Sequence, residues 1–527
     1  MGYRLGETMH RRAGVVLPLF SIRTRRDWGI GQITDLPACA AWIRRAGHRL
    51  LQVLPPLELS EGETSPYGAL TAFGLDPIYA DPDAIEDLDA QSIDLALGDA
   101  GKRARSAAQA ADRVDYAAVR GLKARVLHVA FERFHEREWS RATERAKALA
   151  TFMGHERAWL DDLALYSTLR ESHGGWGWSV WPADERDRSP AALDRARAVH
   201  ERRILEVAYV QWTLQGQWDR ARTQMRELGV EIMGDVPFVV GIESADVWSR
   251  ASQFQMQLTL GAPPDEFSAD GQEWGLPPYD WDAMDRDDLA WIRARSRRAA
   301  RLYDRFRLDH VVGLFRQWVR RKEPGSRGRF DPENPEAQKA RGLRVLHAIL
   351  EEVAKDARGV DAPRVIAEDL GVIPPFVREV LKQLNLPGYR VLPWEKDAAQ
   401  FRDPRAFPRS SVASWSTHDT APLDAWWDAF SERDRTALAE RAGVRPTDDP
   451  ERRTLALLDD LYRSNSDLAL VLVQEILGTR DRINTPGTVG PENWTLRLPG
   501  PIEDLESDRR LSARFDAIRL LVEKSGR

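Results

Sequence analysis

Phe306-Arg307-Leu308-Asp309-His310 alternates apolar and charged side chains over its first four residues, as a short strand does when it ends at a charge. The preceding run, Asp288 to Tyr303, is charged and reads as a helix. Asp309 therefore stands where a crossover delivers the end of a strand, and in a parallel α/β barrel that end is the catalytic rim. Two later segments have the same form: Val365-Ile366-Ala367-Glu368-Asp369 and Val412-Ala413-Ser414-Trp415-Ser416-Thr417-His418-Asp419. The reading that follows is that Asp309, Glu368 and Asp419 converge on one site.

Working outward from that stretch, the order of elements favours a parallel α/β fold. Val15 to Phe20 reads as a buried strand, Asp35 to Ala46 as a helix and Leu50 to Leu54 as a second strand. Val230 to Phe238 is a strand that must leave its sheet sharply, because Pro237 lacks a donor and restricts Val236. Asp235 just before it either reaches a cleft or holds the turn. Gly388 to Pro393 reads as a further strand, with Trp394 at its exit. Leu468 to Val473 is a continuous apolar run that periodicity leaves open between helix and strand.

Between these strands lie insertions. Residues 82–229 are mostly helical, with one long helix expected over 191–228 behind Pro190. Ser172-His173-Gly174-Gly175-Trp176-Gly177-Trp178 interrupts the helical run. Ser65-Pro66-Tyr67-Gly68 and Thr71-Ala72-Phe73-Gly74 make a Gly- and aromatic-rich loop suited to lining a cleft, with Tyr67 facing either ligand or core. Residues 261–281 show neither period, and a loop that long inside a compact domain usually has a function. Residues 321–337 read as a polar insertion.

Composition narrows the function classes. A chain of 527 residues, 43% hydrophobic, can bury a large core, and a formal charge of -6 without a basic stripe argues against a nucleic-acid binder. No apolar run approaches membrane-spanning length and no signal-peptide pattern opens the chain. Cys39 is the single cysteine, so no intrachain disulfide can form, which suits a reducing compartment. A soluble cytoplasmic protein is expected.

The neighbours of the three carboxylates sort their roles. Arg307, two residues before Asp309, shares its face of the strand, and a guanidinium there favours the ionised form of a carboxylate. That suits Asp309 to nucleophilic attack. Glu368 follows an apolar run, and burial makes a carboxyl a better proton donor at neutral pH. Asp419, beside His418, suits the binding of sugar hydroxyls and the stabilisation of positive charge. Two such acids about 5–5.5 Å apart perform retaining glycosyl chemistry. A metal site from His310, Glu368, Asp369, His418 and Asp419 is the rival, but it lacks a compact ligand motif. There is no P-loop, no dinucleotide fingerprint and no Gly-x-Ser-x-Gly elbow.

At these residues the chain resembles the amylomaltase family, the 4-α-glucanotransferases or disproportionating enzymes. The likeness runs from about Val15 to Gly500 through Ser65-Pro66-Tyr67 with Ala72-Phe73, and Gly234-Asp235-Val236-Pro237. It continues through Pro263-Pro264-Asp265, Phe267-Ser268, Gly271-Gln272 and Trp274-Gly275. Arg307-Leu308-Asp309-His310, Ala367-Glu368-Asp369-Leu370-Gly371, Thr417-His418-Asp419 and Asn493-Trp494 complete it. The resemblance implies a (β/α)8 TIM barrel with helical insertions and no C-terminal β-domain. It implies one catalytic domain over 1–527, with 82–229 as a helical subdomain and 261–281 as an active-site loop.

It further implies Asp309 as nucleophile, Glu368 as acid/base and Asp419 as transition-state stabiliser, supported by Arg307 and His418. Tyr67, Asp235, Trp274 and Asn484 are implied as substrate-binding or supporting residues. The implied partners are maltooligosaccharides or α-glucans, with no metal and no organic cofactor. The alternatives are a retaining α-glucan hydrolase on the same barrel and a non-catalytic carbohydrate-binding protein. The chain departs from the family at Glu266-Phe267, where Tyr-Phe is frequent, at Val311-Val312-Gly313 after the Asp-His pair, and in the basic opening 21–27.

Overall fold

The computed structural model describes residues 10–264, 271–323, 325–356, 363–397 and 400–527. Eight parallel strands close into a barrel: β1 (Arg12–Val16), β2 (Leu50–Gln52), β3 (Glu231–Val236), β4 (Arg305–Leu308), β5 (Val365–Ala367), β6 (Gly388–Val391), β7 (Ser411–Ser414) and β8 (Leu468–Leu472). Each strand pairs with its predecessor and successor in the chain, and β8 closes on β1. Parallel strands covered on both faces have no solvent side to keep polar. That explains β8, whose five residues Leu-Ala-Leu-Val-Leu are all buried. The run that periodicity left undecided is the last barrel strand.

The alternation in β4 has a different cause. Phe306 and Leu308 face outward, toward Ile292 and Ala299 of the helix Ala290–Leu302 and Ile349 of the helix Pro335–Ala354. Arg305 and Arg307 are therefore on the inner face. Each finds an acid on β3: Arg305 Nε donates to Glu231 Oε2 at 2.7 Å, and Arg307 Nη1 to Asp235 Oδ2 at 2.8 Å. Charges inside a barrel are tolerated only when so paired.

Helices cross between most strands: Leu36–Arg45 after β1, Glu201–Glu227 before β3, Ala290–Leu302 before β4, Pro335–Ala354 before β5 and Pro375–Gln383 before β6. Among the described residues the β6–β7 crossover carries only 3-10 turns and a two-stranded ribbon. Three helices, Leu423–Ala429, Glu432–Ala442 and Pro450–Tyr462, lead to β8, and Arg509–Lys524 follows it. Among the described residues no helix is long and apolar enough to cross a membrane.

Four expectations change. β1 runs over Arg12–Val16 rather than 15–20, because Pro18 turns the chain into the 3-10 segment Leu19–Ser21. The helix expected over 191–228 is two, Pro190–Val199 and Glu201–Glu227, broken at His200 (φ -111°, ψ 18°). The stretch 261–281 is not wholly irregular. Leu258–Ala262 and Gln272–Glu273 pair antiparallel and join Gln317–Arg321 and Arg329–Asp331 in a four-stranded sheet. The polar insertion 321–337 thus supplies one of its strands. Glu266, Phe267 and Ser268 lie outside the described residues.

Candidate active site

The geometry starts at the ends of β4 and β5. The ladder continues one residue past β4, where Asp309 N donates to Val236 O at 3.1 Å. His310 then turns the chain with a left-handed backbone, φ 45° and ψ 53°. Glu368, the residue after β5, donates its N–H to Leu308 O at 3.0 Å. Parallel register therefore sets Asp309 and Glu368 on adjoining strand ends at the same level of the barrel.

Arg307 ties them together. Its Nη1 lies 2.8 Å from Asp309 Oδ1 and 2.8 Å from Asp235 Oδ2, and its Nη2 lies 3.8 Å from Glu368 Oε2. One guanidinium thus touches three carboxylates from three neighbouring strands. It also lies over the ring of Tyr389 on β6, with Cζ 6.0 Å from the ring centroid. The guanidinium is almost fully buried, whereas the Asp309 side chain keeps 26% exposure and remains open to an incoming ligand.

Glu368 is buried and held by both oxygens. His310 N donates to Oε2 at 2.8 Å and Leu370 N to Oε1 at 2.7 Å. Burial pushes its carboxyl up to about 7. Arg307 and the two backbone donors pull the other way, while the charge on Asp309 adds to the rise. A carboxyl in that range holds its proton at neutral pH and can still release it.

The third carboxylate arrives on the loop after β7. Asp419 Oδ1 accepts from Asn484 Nδ2 at 2.7 Å, and Oδ2 lies 3.1 Å from His418 Nε2. Burial opposes charge on Asp419, but the imidazolium and the Asn484 amide outweigh it and hold the carboxyl well below the usual range. Burial likewise opposes charge on His418, and Asp419 overcomes it, so the imidazole is held above its ordinary value. Tyr67 joins this pair to the first group. Its OH donates to Asp235 Oδ2 at 2.9 Å and lies 3.0 Å from His418 Nε2, with the two rings stacked at 5.6 Å.

All nine residues singled out from the sequence can now be placed. Asp235, Arg307, Asp309 and Glu368 form one ion-paired cluster. Tyr67, His418, Asp419 and Asn484 form a hydrogen-bonded chain that meets it at Asp235. Asp235 is therefore not simply a turn-holding carboxylate. Trp274 stands apart from both groups but packs edge-on against the His310 ring, centroids 5.1 Å apart. The rival metal set does not gather: Asp369 is committed to Tyr389 N at 2.7 Å and Arg390 Nη1 at 3.3 Å. Among the described residues no group of three or more His, Cys, Asp or Glu side chains is arranged to hold a metal ion.

Sequence reasoning missed three participants. Tyr389 faces Arg307 (above) and stands level with Glu368 through the register Gly388↔Ala367, a pairing that the sequence does not show. Arg482 Nη2 donates to Asp419 O at 2.7 Å, and no sequence signal marked it. Trp494, quoted in a motif but given no role, sets its ring 5.8 Å from Tyr67 and 6.0 Å from His418.

Comparison with known proteins agrees with this architecture. A family model described as 4-alpha-glucanotransferase matches residues 17–503. The chain is 27% identical over 526 residues to a 4-alpha-glucanotransferase of Chlamydia pneumoniae, covering 96% of this chain and 94% of that one. It is 31% identical over 497 residues to the 4-alpha-glucanotransferase of Thermus thermophilus, covering 91% and 93%. Among solved structures, the amylomaltase from Streptococcus agalactiae in complex with acarbose shares the fold at a TM-score of 0.81. Its sequence identity is 23%, over 97% of this chain and 99% of that one.

Proposed function

The chain belongs to the 4-alpha-glucanotransferase family, and from that premise we propose that Asp309, Glu368 and Asp419 carry a retaining transfer of α-1,4-glucan segments between maltooligosaccharides. Asp309 attacks the anomeric carbon as the glycosidic C–O bond breaks, and Glu368 gives its proton to the departing oxygen. The donor segment is left as an ester on Asp309. Glu368, now a carboxylate, takes the proton from the acceptor's hydroxyl as that oxygen displaces Asp309. Asp419 and Tyr67 hold the reacting sugar, and Asp419 offsets the positive charge that develops on it.

The observation that carries this reading is the shared guanidinium of Arg307, in contact with one carboxylate that is open and one that is buried. It also supports the change of role at Glu368. The charge on Asp309 is one cause of the raised carboxyl at Glu368. Esterification removes that charge, so the carboxylate form of Glu368 is favoured more in the second half than in the first and is ready to accept a proton there. The single acid is thereby tuned for donation first and acceptance later.

The helical stretch 82–229 we read as an insertion within one catalytic domain, and 261–281 as a segment that shapes the acceptor side. Cys39, the chain's single cysteine and buried, supports a cytoplasmic setting. The deciding experiment is incubation with maltotriose. A ladder of longer and shorter products that Asp309→Asn abolishes is the expected result. Shortening alone marks a hydrolase, and no product at all marks a binding protein.

A further inference from the structure

Most of the tryptophans are packed in the core, but Trp176 is 70% exposed. It is not a loose side chain on a loose loop. The helix Glu144–Ser172 ends in Gly174 and Gly175, whose φ values of 65° and 85° reverse the chain and send residue 176 outward. The Trp176 carbonyl is then pinned by Trp181 Nε1 at 2.9 Å. Trp181 itself is buried against Tyr166 and Trp248. The turn is also bonded to the segment that leaves β3. Trp178 Nε1 donates to Ile242 O at 2.8 Å, and Ser179 Oγ donates to Glu243 Oε1 at 2.5 Å. A Cβ on Gly177 would run into that Glu243 carboxylate, so the backbone crosses it closely. The same segment carries Phe238, whose ring lies 5.5 Å from that of His310 beside the catalytic cluster.

A rigid turn that holds an indole face in water, with a serine and a carboxylate at its foot, matches the surface of a pyranose. The apolar C–H face of the sugar covers the ring, and its rim hydroxyls meet the polar flank. We propose that Trp176 is a docking platform for an α-1,4-glucan chain, outside the catalytic site and on the turn bonded to the segment that leaves β3. This rests on the glucan reading above. It adds that a polymer is held at a second point, while a substrate of three glucose units reacts without it.

The test uses affinity electrophoresis through glycogen, with Asp309→Asn as the background so that the polymer is not remodelled. Adding Trp176→Ala should weaken glycogen retardation about fivefold, and Trp176→Phe should restore most of it. In the active protein, Trp176→Ala should leave the rate on maltotriose unchanged and the rate on glycogen lowered. Unchanged retardation overturns the platform. So does an equal loss on maltotriose and glycogen, or a change of mass on gel filtration, which would place the ring in a contact between copies. Failure of the parent protein to rearrange maltotriose would count against the function itself, not against the platform.

Discussion

The backbone N–H of His310 donates to Oε2 of Glu368 at 2.8 Å. Asp309 is the residue before that N–H, so one peptide unit links the open carboxylate to the buried one. The left-handed backbone of His310, uncommon for a residue with a side chain, then turns the chain out of the strand. The ring of His310 is wedged between Phe238 and Trp274 and keeps the turn in place.

This arrangement predicts a pH profile. On the proposed mechanism Glu368 must be protonated to act first, and burial places its carboxyl at about 7. The profile of kcat/KM should therefore fall on its alkaline side with a midpoint near that value, since kcat/KM reports the free protein. Stability should move the same way. Folding raises this carboxyl above its unfolded range, so its contribution is fully present below the unfolded value and is lost as pH rises through about 7. Glu368→Gln should abolish transfer yet raise Tm relative to the parent more at pH 8 than at pH 5. A Tm difference that is the same at both pH values would sink the burial argument.

Arg307 supplies the second prediction. It is buried and faces three acids, so its loss strands Asp235, Asp309 and Glu368 together. Arg307→Ala should cost about 3 kcal/mol in urea unfolding, the usual scale for breaking a buried ion pair from one side. Arg307→Lys keeps the charge but not the fork that reaches Asp235, Asp309 and Glu368 at once. It should recover most of the stability and little of the activity. A lysine variant that transfers at the parental rate would show that the fork is dispensable.

How much of this was legible in the sequence differs by element, for physical reasons. β4 could be read because its inner face is charged and its outer face apolar, which leaves the period of two visible. β8 could be recognised only as apolar, because burial on both faces erases the period. The four-stranded sheet was missed because Gln272–Glu273 is two residues long and its partner Leu258–Ala262 also pairs with Gln317–Arg321, far along the chain. No local pattern encodes such a contact. At the site, the acids stood out as charges at the ends of apolar runs. The connections among them did not, since Asp235–Arg307 and Tyr67–His418 are contacts between side chains 72 and 351 residues apart.

Asn484 tests the third carboxylate. Its Nδ2 holds Asp419 Oδ1 at 2.7 Å from the closing loop, opposite His418. A hydrogen bond to a charged group is worth more than one between neutral partners, so Asn484→Ala should lower kcat/KM by about tenfold. Asn484→Asp should do worse, because it sets a second negative charge against the first. Both variants should unfold near the parental urea concentration, as one loop contact is lost and no core is opened. Equal activity of the alanine variant and the parent would remove Asn484 from the site.

Trp274 tests the partition between transfer and hydrolysis. It leans edge-on against His310, and its backbone N–H donates to Leu260 O at 2.9 Å, which fixes it to the four-stranded sheet beside the barrel mouth. On the proposed mechanism water competes with an acceptor hydroxyl for the ester on Asp309, and the outcome depends on how well the acceptor is held and water kept out. Removing the indole weakens both. Trp274→Ala should lower the ratio of transfer to hydrolysis on maltotriose by about tenfold, the scale of one aromatic contact, with a smaller effect on the rate of donor cleavage. Counting reducing ends separates the two events, because transfer conserves their number and hydrolysis adds one per turnover. Trp274→Phe should lie between parent and alanine variant. A product ratio that does not change in Trp274→Ala would take this residue out of acceptor control and leave it as packing for His310.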